Sequence, residues 1–427
     1  MYAIDWAQVW GRAQTRHPRQ TAGLLSRVSP VVWSLGFTSL LTDISSEMVT
    51  SILPMYLVVH LRVSPVAFGI IDGLYQGVSA LLRVTAGFIG DRWRHHKRVA
   101  AVGYGLSAVC KLGLLAAGNG WTAIASIIAL DRTGKGIRTA PRDALITLNS
   151  DARDLASAFG VHRALDAAGA MLGPLVAFLI LAVRPSGFDI IFVASCCIAV
   201  IGVGVLLLFV DAPRPRAVPA GEPKASPQAA IRLLRDPGFR SVAVAAGALN
   251  LATISDAFVF VVLQQRIGFS VVTFPLLYIG VSVVNCMIAV PGGAVADRWG
   301  RVRVFLGGHA LLLALYALLL LPGGNLARVV LCVLLLGAYY AATDGVLSAL
   351  LGAALPPHLC GSGLALVATA TNGSRLGSSV LFGILWTAIG VNAAIGLFTL
   401  GLGVALAGAV WILTRVGKTD GYEHATA

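Results

Sequence analysis

Asp43 and Glu47 stand four residues apart inside an apolar run. On a helix that spacing puts both carboxylates on one face, one turn apart. A charge near the centre of a bilayer costs at least about 2.5–3.5 kcal/mol, so ionisable groups there are paired or functional. Two neighbouring carboxylates in such a place are candidates for taking up and releasing protons. They can equally serve as partners for basic residues on adjacent segments. A second apolar run carries Asp72, Gln76 and Arg83, again on one helical face, and a third carries Lys111.

The densest pattern is Asp131, Lys135, Arg138 and Arg142, at i, i+4, i+7 and i+11, with Arg132 and Asp143 beside it. This spacing forms one continuous helical stripe. A basic stripe within an apolar setting needs carboxylates or an anionic ligand opposite it. Asp43, Glu47 and Asp72 are the available carboxylates. Arg138 and Arg142 lie near enough to one end of their run to reach the interface. His162, Arg163 and Asp166 follow at one-turn spacing. The second half of the chain is sparser. It offers Asn250, Ser255, Asp256, Asn285, Tyr339, Tyr340, Thr343, Asp344, Asn372 and Arg375. Tyr339 and Tyr340 are adjacent on a helix, so only one of them can share a face with Asp344.

These residues must be positioned by membrane-spanning helices. Of 427 residues, 57% are hydrophobic and 12% charged, about half the charge of a soluble domain. Apolar runs place spans near 31–59, 66–90, 99–118, 121–144, 156–183, 187–210, 241–265, 273–296, 303–322, 328–353, 361–388 and 391–414. The expected domains are an N-terminal tail (1–30), a six-helix bundle (31–210), a linker (211–238), a second bundle (239–415) and a C-terminal tail (416–427). The linker holds Pro213, Pro215, Pro219, Pro223, Pro227 and Pro237, as a polar connector should. Lys and Arg concentrate at the termini, in the linker and in alternate loops, which puts both termini in the cytoplasm. The net charge of +13 is therefore topological and carries no expectation of nucleic-acid binding. With that orientation Asp43 lies about 15 Å above the cytoplasmic end of its helix, near the midplane.

The two halves repeat. Residues 87–92 read Gly-Phe-Ile-Gly-Asp-Arg, and residues 293–298 read Gly-Ala-Val-Ala-Asp-Arg. Repeats of this kind imply two bundles related by an axis normal to the membrane. Gly293, Asp297, Arg298, Gly300 and Arg301 match the loop motif G-x-x-x-D-R-x-G-R of the major facilitator superfamily. Gly87, Asp91 and Arg92 keep its first part before Arg94 replaces the glycine. Gly160, Gly169, Gly173 and Pro174 fit the family's G-x(8)-G-x-x-x-G-P motif of the fifth helix. Arg132 and Gly136 match R-x-x-Q-G, with Lys135 in place of the glutamine. The sequence thus resembles that superfamily from about residue 31 to 414.

The resemblance implies an all-α membrane protein of twelve helices in two pseudo-symmetric six-helix bundles. It further implies transport of a small molecule across a bacterial inner membrane, by a protein that is a monomer. In the family, helices one, four, seven and ten line the substrate path. This places Asp43, Glu47, Asp131, Arg132, Asp256, Tyr340 and Asp344 near it, with Asp72, Gln76 and Lys135 as further cavity candidates. Asp43 and Glu47 are the proton-coupling candidates. The loop motifs are expected to act as a conformational latch, and the fifth-helix glycines to pack that helix tightly. The fifth-helix motif is associated with antiporters and favours proton-coupled efflux. The basic stripe favours the alternative, uptake of an anionic solute with protons. A passive channel is a third reading, disfavoured by the half-chain repeat and the scattered mixed charges.

No P-loop, H-E-x-x-H or G-x-S-x-G pattern occurs, so neither an enzyme nor an ATP-driven pump is expected. No cofactor or metal site is expected either. The six cysteines lack metal or redox spacing and read as small buried hydrophobes.

Overall fold

The computed structural model describes residues 28–93, 96–118, 120–150, 154–210, 232–355 and 357–423. The side chains of residues 81, 83–93, 156, 352–354, 357–362 and 415–423 lie outside that description. Twelve helices account for nearly all of it. They are α1 Pro30–Met55, α2 Pro65–Trp93, α3 His96–Ala116, α4 Trp121–Leu148, α5 Leu155–Val183 and α6 Phe188–Phe209. Then come α7 Pro237–Ile267, α8 Phe274–Trp299, α9 Arg301–Leu320, α10 Leu326–Ala354, α11 Pro357–Ile389 and α12 Val391–Glu423. No strand occurs among the described residues. In a bilayer this is required, since only an intra-segment ladder satisfies a lone backbone.

Eight of the helices are long and apolar enough to cross a membrane on the described residues. The other four are α1, α2, α4 and α11. They contain Asp43, Glu47, Asp72, Asp131, Arg132, Lys135 and Arg375, while Asp256, Tyr340 and Asp344 lie on two of the eight. Four glycines explain how such helices pack. A Cβ on Gly169 of α5 would lie 2.7 Å from the carbonyl oxygen of Leu40 on α1, and one on Gly173 would lie 2.7 Å from that of Ile44. A Cβ on Gly134 of α4 would stand 2.6 Å from the Gly103 carbonyl of α3, and one on Gly136 would stand 2.9 Å from the Ser79 carbonyl of α2. Small residues at these points let backbones touch.

The chain divides into two compact units. Within the described residues, one contains 28–210 together with 269–279, and the other contains 232–268 and 280–423. In the first, α1 packs on α5 and α6, α4 on α2 and α3, and α3 on α6. In the second, α7 packs on α11 and α12, α10 on α9, and α9 on α12. Four of these pairings recur six helices later, which is the internal repeat expressed in packing. The first unit's core at one end joins Val32, Leu35, Tyr104, Leu145 and Leu206. An aromatic cluster anchors the second: the ring of Phe382 on α11 lies 4.8 Å from Phe258 of α7 and 5.1 Å from Phe398 of α12.

The structure corrects three expectations. The seventh span is broken, with helix over Pro237–Leu251 and Asp256–Ile267 and none at Thr253–Ser255. Gly160 makes no close approach, since a Cβ there would meet nothing within 4 Å. Cys197 and Cys286 are exposed, because the outer face of a spanning helix is solvated by lipid and tolerates a small apolar group there.

Candidate functional site

In the first unit the ionisable residues form a ladder along α1, α3, α4 and α5. Gly134 lets α3 approach α4 closely enough for Lys111 to reach Asp131, with Nζ 2.7 Å from Oδ1. Arg132 closes on the other oxygen, through Nε at 2.9 Å and through Nη2. All three residues are buried. The triad retains one positive charge, since two cations face one carboxylate. Arg132 also stacks on Tyr75, 4.2 Å from its centroid. The Tyr75 hydroxyl lies 2.7 Å from that of Thr50. A cavity of about 10 Å³ lined by Ser46, Thr50, Tyr75, Lys111, Asp131 and Arg132 lies between them, room for about one water molecule.

One turn further along α4 stands Lys135, and two turns from Asp131 stands Arg138. Arg138 Nη2 lies 3.4 Å from Asp43 Oδ1, and its guanidinium stacks 4.4 Å from the centroid of Tyr104. Its Nη1 is buried with no hydrogen-bond partner. Arg142 pairs with Asp143 at 2.9 Å, approaches Asp166 of α5 at 3.7 Å, and donates to the Ser39 hydroxyl of α1 at 3.2 Å. His162 Nδ1 lies 3.4 Å from Asp166.

Glu47 and Lys135 differ from the rest of the ladder. Both are half-buried, and neither forms a hydrogen bond or ion pair among the described residues. The charges near Glu47 include Lys135, Asp43, Arg132 and Lys111. Asp43 and Glu47 do share the α1 face that meets α5. Cβ atoms on Gly169 and Gly173 would lie 3.1 Å from the Asp43 Cβ and 2.8 Å from the Glu47 Cβ. Asp72 is buried on α2, and Gln76 is half-buried one turn later.

In the second unit the candidates gather around the break in α7. The Tyr316 hydroxyl of α9 accepts the Ile254 N–H at 2.6 Å, and Ser378 of α11 donates to the Thr253 carbonyl. Ser255 caps the following half-helix by accepting from Phe258 N–H. The unwound turn is thus held by neighbouring helices, as irregular backbone at membrane depth must be. Tyr340 of α10 donates to Asp256 Oδ1 at 2.6 Å. Its neighbour Tyr339 is buried and turns to His309, 5.4 Å between ring centroids. Arg375 of α11 donates from Nε to Asn250 Oδ1 at 2.8 Å, while its Nη2 is 4.0 Å from Asp344 Oδ1.

At the loop motif, Gly300 adopts φ 98°, the left-handed region that favours glycine. Arg301 at the start of α9 pairs with Asp297 at 3.1 Å and donates to the Ala349 carbonyl of α10 at 3.0 Å. Arg298 is exposed. The first-half counterparts Gly87, Asp91 and Arg92 lie outside the described side chains. Among the described residues no cluster of three or more His, Cys, Asp or Glu is placed to hold a metal.

The break at Thr253–Ser255 and the roles of Lys111, Arg375 and Tyr316 were not singled out from the sequence. A Ser-Asp pair inside an apolar run is the available signal for the break, because Ser followed by an acidic residue is a helix start.

The profile of the Major Facilitator Superfamily matches residues 35–379. The chain therefore belongs to that superfamily, whose members are membrane transporters of small molecules, and it is a multi-pass membrane protein. An uncharacterised MFS-type transporter of Methanocaldococcus jannaschii is 37% identical over 188 residues, 44% of this chain and 46% of the relative. An uncharacterised protein of Mycobacterium tuberculosis is 32% identical over 153 residues, 36% of this chain and 37% of the relative. The chain thus spans under half the length of the curated relatives it matches. A mutant of the nucleoside transporter NupG has the same fold, with a TM-score of 0.74 at 16% identity over 90% of this chain and 99% of that one. So does the human organic anion transporter MFSD10, at TM-score 0.61, 15% identity, 89% of this chain and 99% of that one.

Proposed function

We propose that this protein is a secondary active transporter that exports a small organic solute across a bacterial inner membrane in exchange for protons, by alternating access. Both termini are cytoplasmic in this reading, and the protein acts as a monomer. The observation that carries it is the seating of the antiporter-type motif of α5. Gly169 and Gly173 press that helix onto α1 at the very turns that hold Asp43 and Glu47. A change in the protonation of either carboxylate is then felt directly by the helix that bears the motif.

Glu47 is the carboxylate that binds and releases the proton. Asp43 already has Arg138 as a partner at 3.4 Å, whereas Glu47 has no direct partner among the described residues. Adding a proton to Glu47 removes the negative charge beside Lys135 and leaves the lysine to other ligands. Coupling follows if the solute and the proton change that local balance in opposite directions. The solutes named for similar folds include nucleosides and organic anions, so the fold leaves the solute open.

The test uses purified protein in liposomes with a pH-sensitive dye inside. Solutes are first selected by thermal shift from anions, cations and neutral compounds. An active solute should move protons against its own flux in the natural protein. Glu47→Gln should abolish that proton movement while solute exchange between the two sides persists. Proton movement unchanged in Glu47→Gln would refute the assignment. A second reading, proton-linked uptake of an anionic solute, is favoured by Lys135 and by the unpartnered Nη1 of Arg138. It predicts that proton and solute move in the same direction.

A further inference from the structure

Asp344 lies about ten residues before the end of α10 at Ala354, roughly 15 Å along the helix axis. Its side chain is nevertheless 63% exposed. A carboxylate exposed to hydrocarbon at that depth would cost several kcal/mol, so this one faces water. Its counter-ion is incomplete. The Arg375 nitrogen nearest to it is 4.0 Å away, beyond hydrogen-bond distance. Arg375 cannot swing over freely, because its Nε is held by Asn250 on the first half of α7.

Asp256 opens the second half of α7, one helical turn of α10 carries Tyr340 to it, and the next turn carries Asp344. Asn250 and Asp256 flank the unwound turn of α7, Arg375 and Tyr340 hydrogen-bond to them, and Asp344 lies one turn of α10 beyond Tyr340 and 4.0 Å from Arg375. Discontinuous helices of this kind mark binding sites in transporters, because unwound backbone at membrane depth must be covered by protein or line a cavity. Asp344, with Arg375 no nearer than 4.0 Å, is the open acceptor of this group. The aromatic face of Tyr340 borders it, with Arg375 6.0 Å from the ring centroid.

We propose that Asp344 is the anchor for a protonated amine of the transported solute, so that the solute is an organic cation or carries a cationic group. The inference rests on the transporter reading above and names its solute class. The ammonium completes the charge of Asp344 and meets the Tyr340 ring face, as cations do on aromatic surfaces. Asn250 and Asp256 position Arg375 and Tyr340 around it. Arg375 holds the site's electrostatics in balance and excludes a second cation.

The experiment is thermal unfolding of the purified full-length protein with aliphatic, aromatic and polyamine compounds, alongside size-matched carboxylates and alcohols. Ligands that bind only the folded state raise the melting temperature. Amines should stabilise the protein, Asp344→Asn should weaken their affinity at least tenfold, and Asp344→Glu should restore most of it. The exposed side chain makes the isosteric Asn variant safe for folding, and its unliganded melting temperature checks this. Stabilisation by carboxylates alone, an absence of amine stabilisation, or amine affinity unchanged in Asp344→Asn would overturn the proposal. Amine binding through Asp344 without proton movement in liposomes would leave this inference standing and refute proton exchange. Proton movement driven only by anions would do the reverse.

Discussion

The two halves share a packing plan and treat polarity in different ways. In the first, charge is buried in a ladder of ion pairs that ties α4 to α1, α3 and α5. In the second, the charged groups are few, and the polar investment lies in hydrogen bonds to an interrupted helix. Both halves seat helices through close glycine contacts, since Gly337 of α10 meets Val284 of α8 much as Gly136 of α4 meets Ser79 of α2. The difference lies in what holds the polar groups. An ion-pair ladder fixes helices against one another, and the cost of breaking it is that of an uncompensated buried charge. A clamped break fixes the backbone inside one helix, and the cost of breaking it is that of an orphaned N–H or C=O.

That contrast can be broken by single substitutions. The largest expected effect is in the first half. Asp131→Leu leaves Lys111 and Arg132 buried without their carboxylate, and should cost on the order of 3–5 kcal/mol, read as a large drop in the melting temperature of detergent-solubilised protein. A small drop would mean that water already neutralises the triad. Tyr316→Phe tests the second half. It orphans the buried Ile254 N–H and should cost about 1–3 kcal/mol. If the clamp sets the geometry around Asp256, amine affinity should fall with it, whereas an unaltered affinity would separate the break from the site. The smallest effect is expected at the loop motif. The Asp297 side chain is 54% exposed in its pair with Arg301, so Arg301→Ala should change stability by less than about 1 kcal/mol. A conformational role would instead be seen as an altered transport rate at nearly constant melting temperature.

Much of the ladder was legible as a pattern but not as a set of partners. The i, i+4, i+7, i+11 stripe on α4 follows from helical geometry alone. Three of its members nevertheless point to different neighbours. Asp131 meets Lys111 of α3, Arg138 meets Asp43 of α1, and Arg142 meets Ser39 of α1 and Asp166 of α5. Spacing reports which side chains share a face and is silent on which helix lies opposite. Of the carboxylates available to the stripe, Asp43 pairs with Arg138. Glu47 stands without a direct partner among the described residues, and that singles it out. The Tyr339 and Tyr340 divergence, by contrast, followed from adjacency, and the two rings do turn to His309 and Asp256 respectively.

Taken by itself, the amino-acid sequence determined that the chain is a polytopic helical membrane protein with an internal repeat. Apolar run length, Lys and Arg placement and the duplicated Gly-Asp-Arg motif are local quantities, and the bilayer leaves helices as the only solution for them. Tertiary structure decided which carboxylates are paired, where α7 unwinds and which carboxylate side chain of α10 remains exposed. Those outcomes depend on contacts between helices far apart in sequence: Lys111 with Asp131, Tyr316 with Ile254, Arg375 with Asn250. No periodicity along one helix encodes the identity of the atom that faces it from another.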